Sequence, residues 1–258
     1  MRVQAIPVFR DLHILRKSML EALADYAFLA DQLLHKDYGD GILAGCELTT
    51  TEDSIYLREG VLFYEGQMFL IKEPMAVTYH PTNTTMVLKV CFSEEHTDGN
   101  FIYREIDLFL TEQTELRKGE LELCRFKLQE GAVLRYRYQN FEDRNTEFDT
   151  LNTIHAAYSV KGGTTLSPEI VREFAEEMLK AEELSELDTL FCLQLLGQEH
   201  PVGLPALAAY VRRRDKKKLK ELSNLTLYKE LSRIRKEVYS RERTEAGSAK
   251  KRWKIMVD

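Results

Sequence analysis

Apolar side chains recur over residues 12–33 at a strict 3-4-3-4 spacing: Leu12, Leu15, Met19, Ala22, Tyr26, Leu29 and Leu33. That is a heptad seam, and it predicts one long helix over residues 11–36, with Asp11 placed to cap its first free N–H groups. A second stripe, Leu20, Leu23, Ala27, Ala30 and Leu34, runs beside the first. An apolar face this wide needs at least two surfaces to lie on. The helix either packs along its own domain or meets other copies or a partner's helix, and the pattern leaves both open.

From residue 37 the period changes. Gly41 and Gly45 read as turn formers, and short apolar runs then predict strands at 54–57, 61–64, 68–71, 76–79, 84–93, 100–111, 120–128 and 133–138. Their separators, Glu59-Gly60, Glu65-Gly66, Pro81 and Asp98-Gly99, are hairpin or turn chemistry, so Gly60 and Gly66 also read as structural turns. Met86, Leu88, Val90 and Phe92 share one face of a strand, and Ile102, Ile106, Leu108 and Leu110 share another. In the seventh run the phase slips between Leu121 and Leu123 on one side and Cys124, Phe126 and Leu128 on the other, which predicts a β-bulge near Leu123–Cys124. Many short strands at this spacing predict an antiparallel sandwich or barrel-like domain.

Residues 139–166 show no sustained period. They read as an extended linker lying on a surface, although they carry Phe141, Phe148, Leu151, Ile154 and Tyr158. Beyond them the chain is helical. Ser167-Pro168-Glu169 starts one helix, Ser185 with Asp188 forms a capping box for a second that Gly197 closes, Pro205 starts a third, and Asn224 or Thr226 opens a fourth. The expectation is an α+β chain. It has an N-terminal oligomerisation or docking helix (1–39), an antiparallel β domain (40–138), an extended linker (139–166) and a small helical bundle with a basic tail (167–258), anchored at Trp253, Ile255 and Met256.

Charge sharpens this division. Residues 1–165 hold 17 basic and 26 acidic side chains, whereas residues 166–258 hold 19 and 16. An acidic front and a basic rear suggest modules with different neighbours, able to pair head to tail. The densest basic stretch is Arg212, Arg213, Arg214, Lys216, Lys217, Lys218 and Lys220. It reads as a docking face for an acidic protein, as a solvated helix end, or as a contact for nucleic-acid phosphate. The whole chain is acidic and no aromatic residue interleaves the run, so nucleic acid is the less expected partner. Hydrophobic residues at 44% and charged residues at 30% are enough to bury a core and stay soluble. No stretch reaches the ~20 apolar residues of a membrane span, and the N-terminus has no apolar run of secretory type. The expectation is a protein made in a reducing cytoplasm that stays there or leaves inside a larger particle. Cys46, Cys91, Cys124 and Cys192 are far apart, without CxxC spacing, and read as reduced thiols.

The usual signs of catalysis are missing from the sequence. No glycine is followed by lysine, so there is no phosphate loop; no histidine is followed by glutamate, so there is no HExxH; no GxSxG elbow occurs. Neither a cofactor, a metal nor an enzymatic activity is expected. The segments GILAGCEL (41–48), IYL (55–57) and EGVLFYEG (59–66) resemble the opening of modules in phage tail-fibre and baseplate proteins, where glycines turn the corners of a tight meander. Together with VFRDLHILRKSMLEAL (8–23), ELELCRFKLQEGA (120–132), FEDRNTEFDT (141–150) and the helical end that starts at LSPEI (166–170), the pattern is similar to prophage tail-region proteins. The resemblance implies a non-enzymatic subunit of a phage tail or tail-like contractile particle. It would be a homo-oligomer partnered by other tail or baseplate proteins, assembled in the host cytoplasm and carried in the particle. The alternative is a DNA-binding or regulatory adaptor that uses the helical end.

Overall fold

The computed structural model describes residues 6–12, 14–198, 200–216, 219 and 221–255, with side chains as far as Arg241. Lys217, Lys218 and Lys220 of the basic run lie outside the described residues, as does the Trp253 side chain. The N-terminal helix starts later than Asp11. Leu12 turns at φ 62°, residues 14–16 are not helical, and α1 (Lys17–Ala24) begins after Arg16. A single π turn, Asp25–Leu29, follows, and α2 (Ala30–His35) completes the element. The expected seam therefore loses Leu12 and Leu15 from the helix and changes phase at the π turn. The physical reason is that a lone helical end with no tertiary partner has little to hold its first turn.

The strands are β1 (Gly41–Gly45), β2 (Leu48–Thr50), β3 (Ser54–Leu57), β4 (Gly60–Tyr64), β5 (Gln67–Ile71), β6 (Met75–Thr78) and β7 (Thr85–Phe92). They continue with β8 (His96–Asp98), β9 (Phe101–Tyr103), β10 (Ile106–Thr111), β11 (Glu120–Lys127), β12 (Tyr158–Val160) and β13 (Gly163–Thr165). Three sheets, in the orders β13-β12-β1-β4-β5, β10-β7-β11 and β2-β3-β6, surround one core, and β8-β9 is a separate ribbon. No barrel closes among the described residues. The β1–β12 pair is parallel, so the sheets are not wholly antiparallel.

The register of β11 on β7 shifts between Glu122 and Cys124, where the sequence phase slips. The run at 133–138 is not a strand; only Arg135 bridges to Thr150. Gly41 and Gly60 are not turn residues either. They lie within paired strands, and a methyl on either would run into backbone, that of Ala157 for Gly41 and that of Ala44 and Cys46 for Gly60. Gly45 ends β1 at φ 61°, and Gly66 sits at φ 78° in the tight turn between β4 and β5.

A second core belongs to α3 (Pro168–Met178), α4 (Glu186–Gly197), α5 (Leu204–Asp215) and α6 (Asn224–Ile255). Ser185 caps α4 by accepting the Asp188 N–H at 3.1 Å. Residues 139–166 are the joint between the cores, and the expectation of a surface linker is wrong. Leu151 and Ala156 are buried in the first core, Phe141 and Ile154 in the second. The apolar residues of this stretch lack a period because they face alternately into two cores, not because they face solvent. Phe141 stacks on Tyr228 at 4.8 Å and its carbonyl accepts the Tyr228 hydroxyl at 2.6 Å. Arg235 bridges Glu142 and Glu177, and Arg144 pairs with Glu173 while lying 4.2 Å over the Tyr138 ring.

Two outcomes follow from this packing. Burial pushes the thiols of Cys46 and Cys192 up to about 12 and raises that of Cys124 too, and only Cys91 is partly open. An aromatic disulfide reagent should therefore titrate one thiol in the folded protein and four after denaturation; fast reaction of two or more in the native state would contradict the cores described. At the joint, hydrogen bonds from Arg135 at 3.0 and 3.1 Å hold the Asp143 carboxyl down from 3.8 to about 2. The resulting stability is present above the unfolded value and is lost as the pH falls through about 2. Because Arg135 is partly open to solvent, Asp143→Asn should cost about 1 kcal/mol at neutral pH. Denaturant titrations of the two proteins should converge near the folded value; a constant difference down to that pH would exclude the pair as its source.

Candidate docking surfaces

The largest unsatisfied feature of the surface is apolar. Among the described residues, thirteen of the 23 exposed large hydrophobic side chains fall within residues 6–34, the densest such segment. Ile6, Val8, Phe9, Leu12, Ile14 and Leu15 precede the helix, and Leu20, Leu23, Tyr26, Phe28, Leu29, Leu33 and Leu34 lie along it. No residue of α1, the π turn or α2 is buried; Met19, Ala22 and Ala30 are only half-buried. Of the two alternatives, packing of the helix along its own domain fails, because within this chain both stripes face outward. The base of the segment is firmly held, with the Gly39 N–H donating to Gly163 O at 2.9 Å, the Gly162 N–H to Asp37 O at 2.8 Å, and the Ser159 hydroxyl to Gly39 O at 2.7 Å. His35 packs edge-on against Tyr38 at 4.8 Å.

The basic run is divided by the fold. Arg212 and Arg213 are exposed at the end of α5, and Lys216 is exposed in a left-handed turn that stops the helix. Arg214 points the other way. Its Nε donates to Asp188 at 3.0 Å and its Nη1 to Glu237 at 3.1 Å, with Asp215 at 3.3 Å. The Tyr210 hydroxyl donates to the same Asp188 carboxylate at 2.6 Å, and burial together with this acid raises the phenol's pKa. Arg214 therefore belongs to a buried clamp that ties α4, α5 and α6 together, and its assignment to a docking face is corrected. Seven consecutive charges, residues 212–218, do not reveal in one-letter code which of them turns inward.

The sequence reading missed a second apolar surface. Leu187, Leu190 and Leu193 are exposed on α4, and between α4 and α5 runs a groove of about 350 Å³ lined by residues that include Leu190, Phe191, Leu195, Ala206, Tyr210 and Arg213. The signal was present: after Glu186 and Asp188, α4 has apolar residues on every side and no polar face. A third patch is the β8–β9 ribbon, which exposes Phe101, Ile102 and Tyr103. Among the described residues no group of three or more His, Cys, Asp or Glu side chains is gathered as a metal site would require, and no helix is long and apolar enough to cross a membrane.

No family model matches the sequence, and no curated protein matches it. Among solved structures the chain is similar to a crystal structure of TssK, at 13% identity and a TM-score of 0.39, over 92% of this chain and 70% of that one. It is also similar to a chain in the cryo-electron-microscopy structure of the type VI secretion system TssK–TssF–TssG baseplate subcomplex. There the identity is 9% and the TM-score 0.41, over 90% of this chain and 99% of that one. At these identities and scores neither likeness carries a functional argument.

The division of the basic run is open to a direct check. Arg214→Ala leaves the buried Asp188 carboxylate with the Tyr210 hydroxyl but no compensating cation, and should cost about 3–5 kcal/mol. Arg212→Ala and Arg213→Ala, at exposed positions, should each change stability by about 0.5 kcal/mol or less. Equal effects of all three in urea denaturation would show that the clamp is not formed.

Proposed function

We propose that this chain is a non-enzymatic structural subunit of a phage tail or phage-tail-like contractile particle, at the baseplate or fibre attachment, and that it works by docking on other proteins. In this reading residues 1–39 are the docking element, residues 40–138 the β body and residues 167–258 a helical end, with 139–166 joining the last two. The observation that carries the docking role is the unpartnered apolar segment at residues 6–34. Exposed apolar area is unfavourable in water at roughly 25 cal/mol per Å², and a contiguous patch of this kind marks a surface that another molecule covers. The class of particle comes from the glycine-spaced segments over residues 41–66, which resemble tail-fibre and baseplate modules in sequence. The baseplate subcomplex named for one structural neighbour belongs to the same class of assembly and stands beside this reading without carrying it. The adaptor alternative loses ground, since Arg214 is taken up inside the helical core.

Leu23 and Leu29 are exposed, so Leu23→Glu with Leu29→Glu should leave the fold and its melting temperature unchanged. Placing charge on a face that becomes buried is strongly disfavoured, so the variant should no longer co-purify with baseplate and tube proteins when expressed with them. Undiminished co-purification of the folded variant would remove the segment from the docking role.

A further inference from the structure

The five-stranded sheet ends at β5, which pairs with β4 and with no other strand. Glu65 and Gly66 turn this hairpin with φ of 45° and 78°, both left-handed, so Tyr64 and Gln67 form the hydrogen-bonded pair that closes it. Bonded and open pairs then alternate along the ladder. Gln67, Phe69 and Ile71 direct their backbone groups to β4, whereas the N–H and C=O of Met68 and Leu70 point to the open edge. Among the described residues neither backbone finds another partner there. Proteins blunt such edges with charged residues, proline or bulges. Gln67–Ile71 contains no charge and no proline, and its register on β4 is unbroken. Beside the edge lies a cavity of about 400 Å³, on the face of β5 that carries Gln67 and Phe69. Tyr64 stacks on Phe92 at 4.4 Å, Phe69 meets Phe92 edge-on at 4.6 Å, and the Tyr64 hydroxyl accepts the Gly119 N–H at 2.7 Å, so the aromatic walls are fixed. At the rim Arg104 is paired with Glu95 and Lys118 with Glu65, which leaves Glu94 without a cation among the described residues.

We infer that the β5 edge and this cavity together receive an extended segment of a partner protein, which adds a strand to the sheet and seats a large apolar side chain against Tyr64, Phe69 and Phe92. In strand addition the backbone bonds give affinity and the pockets for alternate side chains give specificity. The occupant's chemistry follows from the site. An extended chain is what offers N–H and C=O groups at the spacing of Met68 and Leu70. Residues directly opposite in a sheet point to the same face, so the position facing Phe69 aims into the cavity, and its two neighbours pack beside Leu70, which is 61% exposed. A basic residue close to the apolar one meets Glu94. The β5 strand of a second copy does not fill this site. On the cavity face it carries Gln67, Phe69 and Ile71, and the last two are buried in its own core. The edge is a separate surface from the N-terminal segment and adds a second contact to the docking role proposed above.

The probe is a short fluorescein-labelled peptide, capped at both ends, that alternates threonine with phenylalanine and carries a lysine at each end; binding is read by fluorescence anisotropy. The wild type should bind it saturably. Leu70→Pro removes an outward N–H and leaves the bonds to β4 in place, as proline on an edge strand allows. This variant should keep the circular dichroism and melting temperature of the wild type and bind the peptide at least about tenfold more weakly. Two further measurements need no protein variant. Methylating one alternate set of peptide nitrogens should remove binding and methylating the other set should not, because an added strand bonds its neighbour along one edge. Replacing the phenylalanines by alanine should weaken binding about tenfold, since the cavity is then unfilled. Absence of saturable binding by the wild type overturns the inference, as do equal effects of the two methylated peptides or equal binding of the alanine peptide. A wild-type dimer in sedimentation velocity that Leu70→Pro abolishes would give the edge to a second copy and overturn it too. If the peptide does not bind while the Leu23, Leu29 variant still loses its baseplate partners, the strand site falls and the docking role stands.

Discussion

The stacked rings of Phe141 and Tyr228 fasten the segment that leaves the β domain into the helical core, and the joint between the two cores depends on that contact. Phe141 lies on the segment that leaves the β domain, Tyr228 on the last helix, and the hydrogen bond from the phenol to the Phe141 carbonyl fixes one backbone against the other. The surrounding charges reinforce it: Arg235 spans Glu142 and Glu177, and Arg144 reaches Glu173. Downstream the same segment returns to the first sheet, where β12 pairs in parallel with β1. Asn224, at the start of α6, donates to the Ala156 carbonyl at 2.8 Å and so joins that return to the helical core. Neither core is assembled from a single continuous piece of chain.

That interleaving explains what could be read from the sequence and what could not. Strands facing a single core alternate cleanly, so the β7 run was legible, and so was the phase slip at Leu123, where an extra residue had to be absorbed. Residues 139–166 serve two cores in turn, and their apolar positions follow no period because no single face is buried. The glycines misled for a related reason. Gly41 and Gly60 carry turn chemistry in their side-chain identity, yet their role is to let paired backbones approach where a β-carbon has no room. Arg214 was hidden among like charges, because the partner that turns it inward, Asp188, is 26 residues away in sequence.

The candidate surfaces divide along the same line. The N-terminal stripes were visible as a pattern, since helical periodicity survives whether or not the face is covered. Their exposure was not, because a heptad seam looks the same on a packed helix and on an unpartnered one. The α4–α5 groove needed the fold: its walls are ordinary apolar residues, and only the hairpin of two helices makes them concave.

The π turn at Asp25–Leu29 gives the N-terminal segment a particular valence. A π turn holds one residue more than an α turn closed by the usual hydrogen bond, so the apolar stripe of α1 and that of α2 point along different bearings. One straight groove can cover one of them. In the docking role proposed above, the half left over faces elsewhere and needs a second surface to cover it.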